Sequence, residues 1–487
     1  MGFTIREIDA ECKFSQSLTI AALDRALPQH TIHAALAQHG IAADRVRTLT
    51  LGLTVWLIIA LHLYPTVSIG GVVRKVARGL RFIWPDPTLP LPGDSAVAYR
   101  RAQLGAPPLV TLFQQVCQPI ATPQTRGAFL FGLRVMALDG TTEDVPDTPA
   151  NAARFGRHRS ARGASAFPQL QGVYLVECGT HCVVDAGCWP CHTSERVGGF
   201  RLLRSVQRGM LVMGDRGFHD FDMLVATRHR QAHVLSRLPA SVQPQVVRAL
   251  PDGSVLAYLL PAADARRRRG ERILVRVISY TSTDPTLPGY GAEHRVITTL
   301  LHPRLAPAHD VACADHERWE IELVIDEIDT HQRLVGRTLR SLTPAGVIQE
   351  RYGVVLAHYA VRVLMHEAAL QIEVDVDRLS FVHALEIVRD AVAEFQMVAP
   401  EQQGALYARL LADIAAKRLP PRRPRSNARV VKRKMSNFKL KRAAHYQPLT
   451  PRGSFREAVL VQPPPVLELS SQHRGSPEAA SLCVSVV

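Results

Sequence analysis

Three acidic residues lie far apart in the chain, in settings that could bring them together. Asp139 closes the apolar run LRVMALDG, Asp215 closes GMLVMGD, and Glu322 sits in HERWEIELVIDEIDTHQ. The first two runs read as buried strands, so each Asp is expected just past a strand end. Ends of adjacent strands are where side chains from distant sequence converge. Hard divalent cations want carboxylate oxygens, and two of them ~3.5–4 Å apart can activate a nucleophile and stabilise a leaving oxygen. Two Asp alone carry little, because Asp-Gly is ordinary turn chemistry. The third segment adds to them. It reads as an amphipathic helix with Trp319, Ile321, Leu323, Val324, Ile325 and Ile328 toward a core, and it sets Arg318 and Glu322 four apart on one face. An Arg beside a metal-binding carboxylate suits phosphodiester chemistry, since it can hold the phosphate under attack. The same pair would also serve as a plain salt bridge worth a few tenths of a kcal/mol.

The elements that must position these residues follow from periodicity and punctuation. Residues 1 to about 120 read as short helices: Thr31 to His39 closed by Gly40, about Asp44 to Tyr64 stopped by Pro65, one capped by Ser95, and one opened by Pro107-Pro108. From Leu133 the pattern turns to strands. QGVYLVECG and HCVVDAG form a hairpin, Ser194 to Arg208 has helical spacing, and a further helix and strand run through AHVLSR. This order predicts an α/β fold, a mixed sheet with helices on its faces. Between about 236 and 310 the helical pattern gives way to SVLAYLL, RILVRVISY and HRVITTLL, a small β insertion. Helix returns near Asp315, restarts at Thr343-Pro344 and continues to about Ala416. The expected division is a helical region at 1–125, a core at 126–345, further helices at 346–416, and a basic, then Pro/Ser-rich tail at 417–487 without fixed structure.

Composition is that of a globular protein, 47% hydrophobic and 21% charged, with a net charge of +15. Twelve cations and no acids lie between Lys417 and Arg442, among them Lys432, Arg433 and Lys434, so the rest of the chain is close to neutral. Such a segment points to a polyanionic partner, nucleic acid first. The uncharged run from Thr48 to Val73 has an apolar heart of only 16 residues, below the roughly 20 that a bilayer requires, and is expected as a buried helix. No secretory signal is visible in MGFTIREIDAECKF, and eight cysteines without one suggest reduced thiols in a cytoplasmic protein.

ALDGT, GDRGF and ERWEIEL together resemble the bacterial insertion-sequence transposases of the DDE class, in particular the branch whose third acid lies in a Tyr-x2-Arg-x3-Glu-x6-Lys signature. The resemblance runs on through RTLRSLTPAGVIQERYGVVLAHYAVR and covers most of residues 20 to 445. It implies a ribonuclease H-like sheet carrying Asp139 and Asp215, a following helix carrying Glu322 with Arg318 as the signature Arg, and a β insertion filling the long gap between Asp215 and Glu322. It implies Mg²⁺ or Mn²⁺, two per active site, and DNA partners: transposon terminal inverted repeats and target DNA. It further implies no membrane, a homodimer at synapsis and a location at the bacterial nucleoid. The implied reaction cleaves transposon ends and transfers the 3′-hydroxyl into target DNA. Two signature positions depart from the pattern, with Asp315 where the branch has Tyr and Asp329 where it has Lys. Both family residues contact DNA near the cleaved phosphate, so a carboxylate at 329 would repel. Arg333, Arg337 and Arg340 follow at helical spacing and are candidates to restore the charge. Two alternatives stay open: a repurposed transposase that only binds DNA ends, and a ribonuclease H-like nuclease without strand transfer.

Three other signals compete. CGTHCVVDAGCWPCH contains CxxCH and imitates a zinc site, but a strand across Cys182 to Gly187 at ~3.3 Å per residue would hold Cys182 and Cys188 about 20 Å apart. Asp185, inside that strand, is a weaker metal ligand than Asp139 or Asp215. The run Arg266 to Arg269 reads as a solvated loop.

Overall fold

A computed structural model describes residues 2–9, 11–41, 49–86, 88–160, 163–287, 290–317, 320–333, 338–420 and 453–463. The N-terminal region is helical as expected, with α1 at Gln29–Gln38, α2 at Leu51–Leu63, α3 at Asp94–Leu104 and α4 at Pro107–Val116. Thr50 caps α2 by accepting from the Leu53 amide, and the helix is buried from Leu53 to Leu63. Thirteen residues at ~1.5 Å each reach about 20 Å. Among the described residues no helix is long and apolar enough to cross a membrane.

The sheet begins with β1, Leu133–Asp144, followed by β2, Gln169–Glu177, and β3, Cys182–Pro190, as an antiparallel meander. Helix α5, Glu195–Leu202, crosses to β4, Met210–Gly214, and α6, Phe221–His229, crosses to β5, His233–Arg237. Both β4 and β5 run parallel to β1. The spatial order β3-β2-β1-β4-β5 is the ribonuclease H-like arrangement expected from the sequence.

The β insertion does not form a separate sheet. Its strands β6 (Gln245–Ala249), β7 (Val255–Leu259), β8 (Ile273–Ser282) and β9 (His294–Thr298) extend the same sheet, because β9 pairs antiparallel with β5. Strand β6 has no counterpart in the periodicity, since QVVRA is an exposed edge with no apolar alternation to reveal it. ARRRRG is not a loop but a helical turn, Asp264–Arg268, with Arg266 paired to Asp222 and Glu271. The hairpin reading of the Cys-rich segment holds. Its cysteines form no disulfide, and among the described residues no group of three or more His, Cys, Asp or Glu is gathered for a metal.

Two changes concern the C-terminal third. The segment through Glu322 is described as α7, Ala308–Glu317, and α8, Glu320–Asp326, and it ends in a π-helical turn, Glu327–Gln332, that the periodicity did not announce. Helices α9 (Pro344–Gln371), α10 (Phe381–Met397) and α11 (Gln403–Ala416) follow, α9 capped by Thr343. The tail, expected without structure throughout, contains β10, Val459–Gln462, which pairs with Ser279–Ser282 of β8. The β-branched VLVQ supplies that strand after the charge run ends.

Strand β1 separates two cores. Val135 and Ala137 face a large core built with α1, α2, α4 and α8–α11, so the N- and C-terminal helices share one interior. Met136 and Leu138 face a second core with α5 and α6. This alternation decides which helix each following side chain of β1 meets.

Candidate active site

The parallel register of β1 and β4 ends at Leu138↔Gly214, and the next residues are Asp139 and Asp215. Two carboxylates therefore stand side by side on adjacent strands, ~4.8 Å apart at the backbone. Both are partly exposed. Asp139 accepts from the Gly140 amide at 2.8 Å, and Asp215 accepts from the Gly217 amide at 2.7 Å, capping the short turn Arg216–Phe218.

Asp139-Gly140 is not the turn that the dipeptide suggested. Both residues lie inside β1 and pair with Tyr174 and Val173 of β2. The ladder continues to Asp144, where TTED keeps a strand pattern against Gln169 to Gly172. Gly140 has a steric reason instead. A Cβ there would lie 2.7–2.9 Å from Cγ, Oε1 and Cδ of Glu195, the first residue of α5.

Glu322 lies in α8, exposed, while Ile321, Val324 and Ile328 anchor the helix below it. Two contacts fix how this segment crosses β1. Thr141 Oγ1 donates to Asp329 at 3.1 Å, and Arg333 pairs with Glu143 at 2.7 Å. Helix and strand thus advance in the same direction over the face that carries Asp139. Glu322 precedes Asp329 by seven residues, about 10 Å along a helix. Asp139 precedes Thr141 by about 7 Å along the strand. This direction runs Glu322 toward the Asp139 end of β1, although among the described residues no three of these acids are gathered closely enough to hold a metal.

The segment is held by buried charge. Glu143, Arg333 and Arg351 have side chains 1%, 9% and 1% exposed, and Glu143 meets Arg333 at 2.7 Å and Arg351 at 2.6 Å. Arg351 stacks over the Tyr174 ring at 4.5 Å, and Asp329 joins Arg333 at 3.0 Å. Burial and Glu143 push the Asp329 carboxyl up to about 6. In the π-helical turn, Arg362 and His358 grip Glu327. Burial alone would raise that carboxyl, but Arg362 first and then His358 hold it down at about 2.

These contacts correct two expectations. Arg333 and Arg340 do not present their charge outward as phosphate ligands. Arg333 is consumed by Glu143 and Asp329, and Arg340 donates to the Pro65 and Val67 carbonyls. Nor do the two signature departures face outward. Asp315 is buried between Arg237 at 2.8 Å and the Tyr280 hydroxyl at 2.7 Å, and Asp329 is an internal anchor. Arg318, Arg337, Lys432, Arg433 and Lys434 lie outside the described residues. Asp185 is taken up by Arg204, at 2.7 and 2.9 Å, and by Ser205.

Glu195 escaped the reading of the sequence, where Ser-Glu at a helix start is an ordinary cap with a dipole-favoured acid. Its carboxyl is raised by burial first and by Asp215 second. A Cβ at Gly217 would lie 3.0 Å from Asp215 Oδ1 and 3.8 Å from Glu195 Oε2, so both carboxylates border one small space.

Against this geometry the similarity to known proteins is specific. The family described as insertion element 4 transposase N-terminal matches residues 17–114, and the transposase DDE domain matches residues 130–360. The chain belongs to the insertion-sequence transposases of the DDE class. The second match spans β1, β4 and α8, the elements that carry the three acids. Transposase InsG for insertion sequence element IS4 of Escherichia coli (strain K12) is 27% identical over 423 residues, covering 85% of this transposase and 92% of the relative. The putative transposase InsZ of the same organism is 27% identical over 224 residues, covering 44% and 69% respectively. A solved structure titled as the piggyBac transposase synaptic complex with hairpin DNA is 11% identical, with a TM-score of 0.43 over 84% of this chain and 86% of that one. Transposases of this class act on DNA by breaking and rejoining phosphodiester bonds. The Tyr-Arg-Glu-Lys signature is not displayed in it.

Proposed function

We propose that this transposase cuts at its terminal inverted repeats and joins the freed 3′-hydroxyl to target DNA, with Asp139, Asp215 and Glu322 as the catalytic carboxylates. The observation that carries this reading is the register that brings Asp139, inside β1, level with Asp215, just past the end of β4, with the segment that follows α8 packed on β1. The donor set is all carboxylate oxygen and partly exposed, which fits hard divalent cations such as Mg²⁺ or Mn²⁺, two per site. When bound, such cations lower the pKa of a water and neutralise charge on the leaving oxygen. Asp139, Asp215 and Glu322 are the residues that would hold the cations. Water attacks the end phosphodiester, and the bond to the 3′ oxygen breaks, leaving a 3′-hydroxyl and a 5′-phosphate. That hydroxyl then attacks a target phosphodiester and displaces the target's own 3′ oxygen. Arg318, four residues before Glu322, is proposed to hold the attacked phosphate. Arg337 is proposed as a further phosphate contact.

Close carboxylates without a cation repel one another, so Mg²⁺ or Mn²⁺ should raise the melting temperature of the full chain. The Asp139→Asn, Asp215→Asn double variant should lose that rise while melting no lower than wild type without metal. A wild type whose melting is indifferent to both cations, with and without DNA, would contradict the assignment.

DNA contact is proposed at two further places. Arg74, Lys75, Arg78 and Arg81 are exposed on the N-terminal helices, a basic surface beside exposed Phe82. Lys432, Arg433 and Lys434 stand in the segment of twelve cations. Phosphate contacts position a protein while base contacts specify the site, so the two places should separate by salt dependence. Replacing Lys432, Arg433 and Lys434 by Ala should flatten log K against log salt by about 2–3 units and leave preference for the transposon end intact. Substitution is preferable to truncation, because β10 lies beyond this segment and pairs with β8. An unchanged slope would remove these three from the interface. Two copies are proposed at synapsis, one per end, and the mass of the protein–end complex checks this.

A further inference from the structure

We infer that Phe82 reads the transposon end by packing its ring on a thymine methyl in the major groove. The inference rests on the reading of Arg74, Lys75, Arg78 and Arg81 as DNA contacts given above. The helices Ile69–Val76 and Arg78–Ile83 follow one another through Ala77, whose backbone is itself helical. Val72, Val73, Val76, Ala77 and Leu80 bury one side of this run. Gly79 lets that side sit flush on α10, because a Cβ there would collide with the Ala393 carbonyl oxygen. The opposite side presents Arg74, Lys75, Arg78, Arg81 and Phe82, all exposed. At 3.6 residues per turn these five positions fall within an arc of about 120°, a single helix face.

Charge and shape together point to duplex DNA as the partner of this face. No Asp or Glu occurs between Ile69 and Pro85. Among the described residues none of the four cations has an ion-pair partner, whereas Arg101, Arg333, Arg351 and Arg362 are all taken up by acids. Unpaired cations on one face suit a row of phosphates. Phe82 stands among them 74% exposed, more than any other large apolar side chain among the described residues. Its neighbour Trp84 turns inward instead and meets the Phe14 ring edge-on at 5.3 Å. Neither a solvated helix face nor a simple phosphate clamp requires an aromatic ring at 82. From Arg74 to Phe82 the run extends about 12 Å, and the major groove is about 12 Å wide. A helix face seated there sets cations against the flanking phosphates and an apolar ring against the base edges. The apolar group that those edges present is the thymine methyl.

The test is binding of the full chain to the end duplex, read by fluorescence anisotropy at fixed salt. Each thymine of the end is replaced in turn by uracil, which lacks only the methyl. The wild type should lose about fourfold in affinity at one or two positions, the worth of burying one methyl group. Phe82→Ala should bind the unmodified end several-fold more weakly, bind a non-end duplex like wild type, and lose the uracil penalty. Phe82→Leu keeps an apolar side chain and should retain part of that penalty. Far-ultraviolet circular dichroism confirms folding of each variant. Alanine at Arg74, Lys75, Arg78 and Arg81 together should instead weaken end and non-end binding alike, and flatten log K against log salt by about 3–4 units. A uracil pattern that is the same in wild type and Phe82→Ala, or absent from the wild type, overturns the inference and leaves a phosphate clamp. So does a Phe82→Ala protein that binds DNA like wild type but changes the mass of the free protein, which would make this face a contact between copies. If the four-alanine variant binds the end as tightly as wild type, the DNA reading of the whole face fails and the inference with it.

Discussion

Glu143→Leu should destabilise the fold by about 3–5 kcal/mol, the range for stranding charge inside a protein. Glu143 is the carboxylate that faces both Arg333 and Arg351, and all three side chains are buried. With Asp329 the cluster holds two negative and two positive charges and is neutral. Removing Glu143 leaves Arg351 on the Tyr174 face without its ion-pair partner, since guanidinium cannot lose its charge. A urea titration would show the lower midpoint. Pairing Glu143→Leu with Arg351→Met should recover part of the loss, because a buried ion pair is often replaceable by apolar volume. Asp329→Lys acts on the same cluster and takes its net charge from zero to +2. It should cost about 3 kcal/mol and should not increase affinity for a transposon end, the reverse of what the signature comparison alone suggests. A Glu143→Leu protein as stable as wild type would show that this cluster does not hold α8 on β1.

The setting of each proposed acid was legible because the three end or interrupt strongly patterned elements. Asp139 and Asp215 close apolar runs, and Ile321, Val324 and Ile328 repeat at helical spacing beneath Glu322. The order of strands and helices through the core could be read in the same way. What stayed hidden depends on partners distant in sequence. Asp139-Gly140 reads locally as a turn, and only β2 opposite makes it a strand interior. Asp315 and Asp329 read as charges facing DNA until Arg237, Tyr280, Thr141 and Arg333 are placed beside them. Arg333 and Arg340 at helical spacing suggested a phosphate-binding stripe, but a period gives the face of a helix and not what that face meets. The approach of Glu195 to Asp215 was invisible because its packing depends on the absence of a side chain at Gly140, and no local pattern records that. The exposed strand β6 lacked the apolar alternation by which strands are recognised.

The most direct measurement is metal-dependent nicking of duplexes carrying the inverted repeats that flank this transposase's own coding sequence. With Mg²⁺ or Mn²⁺ the wild type should nick at the end and leave a 3′-hydroxyl, and should then join that hydroxyl to target DNA. Asp139→Asn, Asp215→Asn and Glu322→Gln should each lower nicking about a thousandfold or more, beyond the 10–100-fold typical of losing a supporting group. All three should still bind the end duplex, since none removes a phosphate-binding cation. A variant that nicks at the wild-type rate would remove its residue from the catalytic set. A wild type that binds the ends but nicks them with neither cation would contradict the account outright and leave a protein that only recognises transposon DNA.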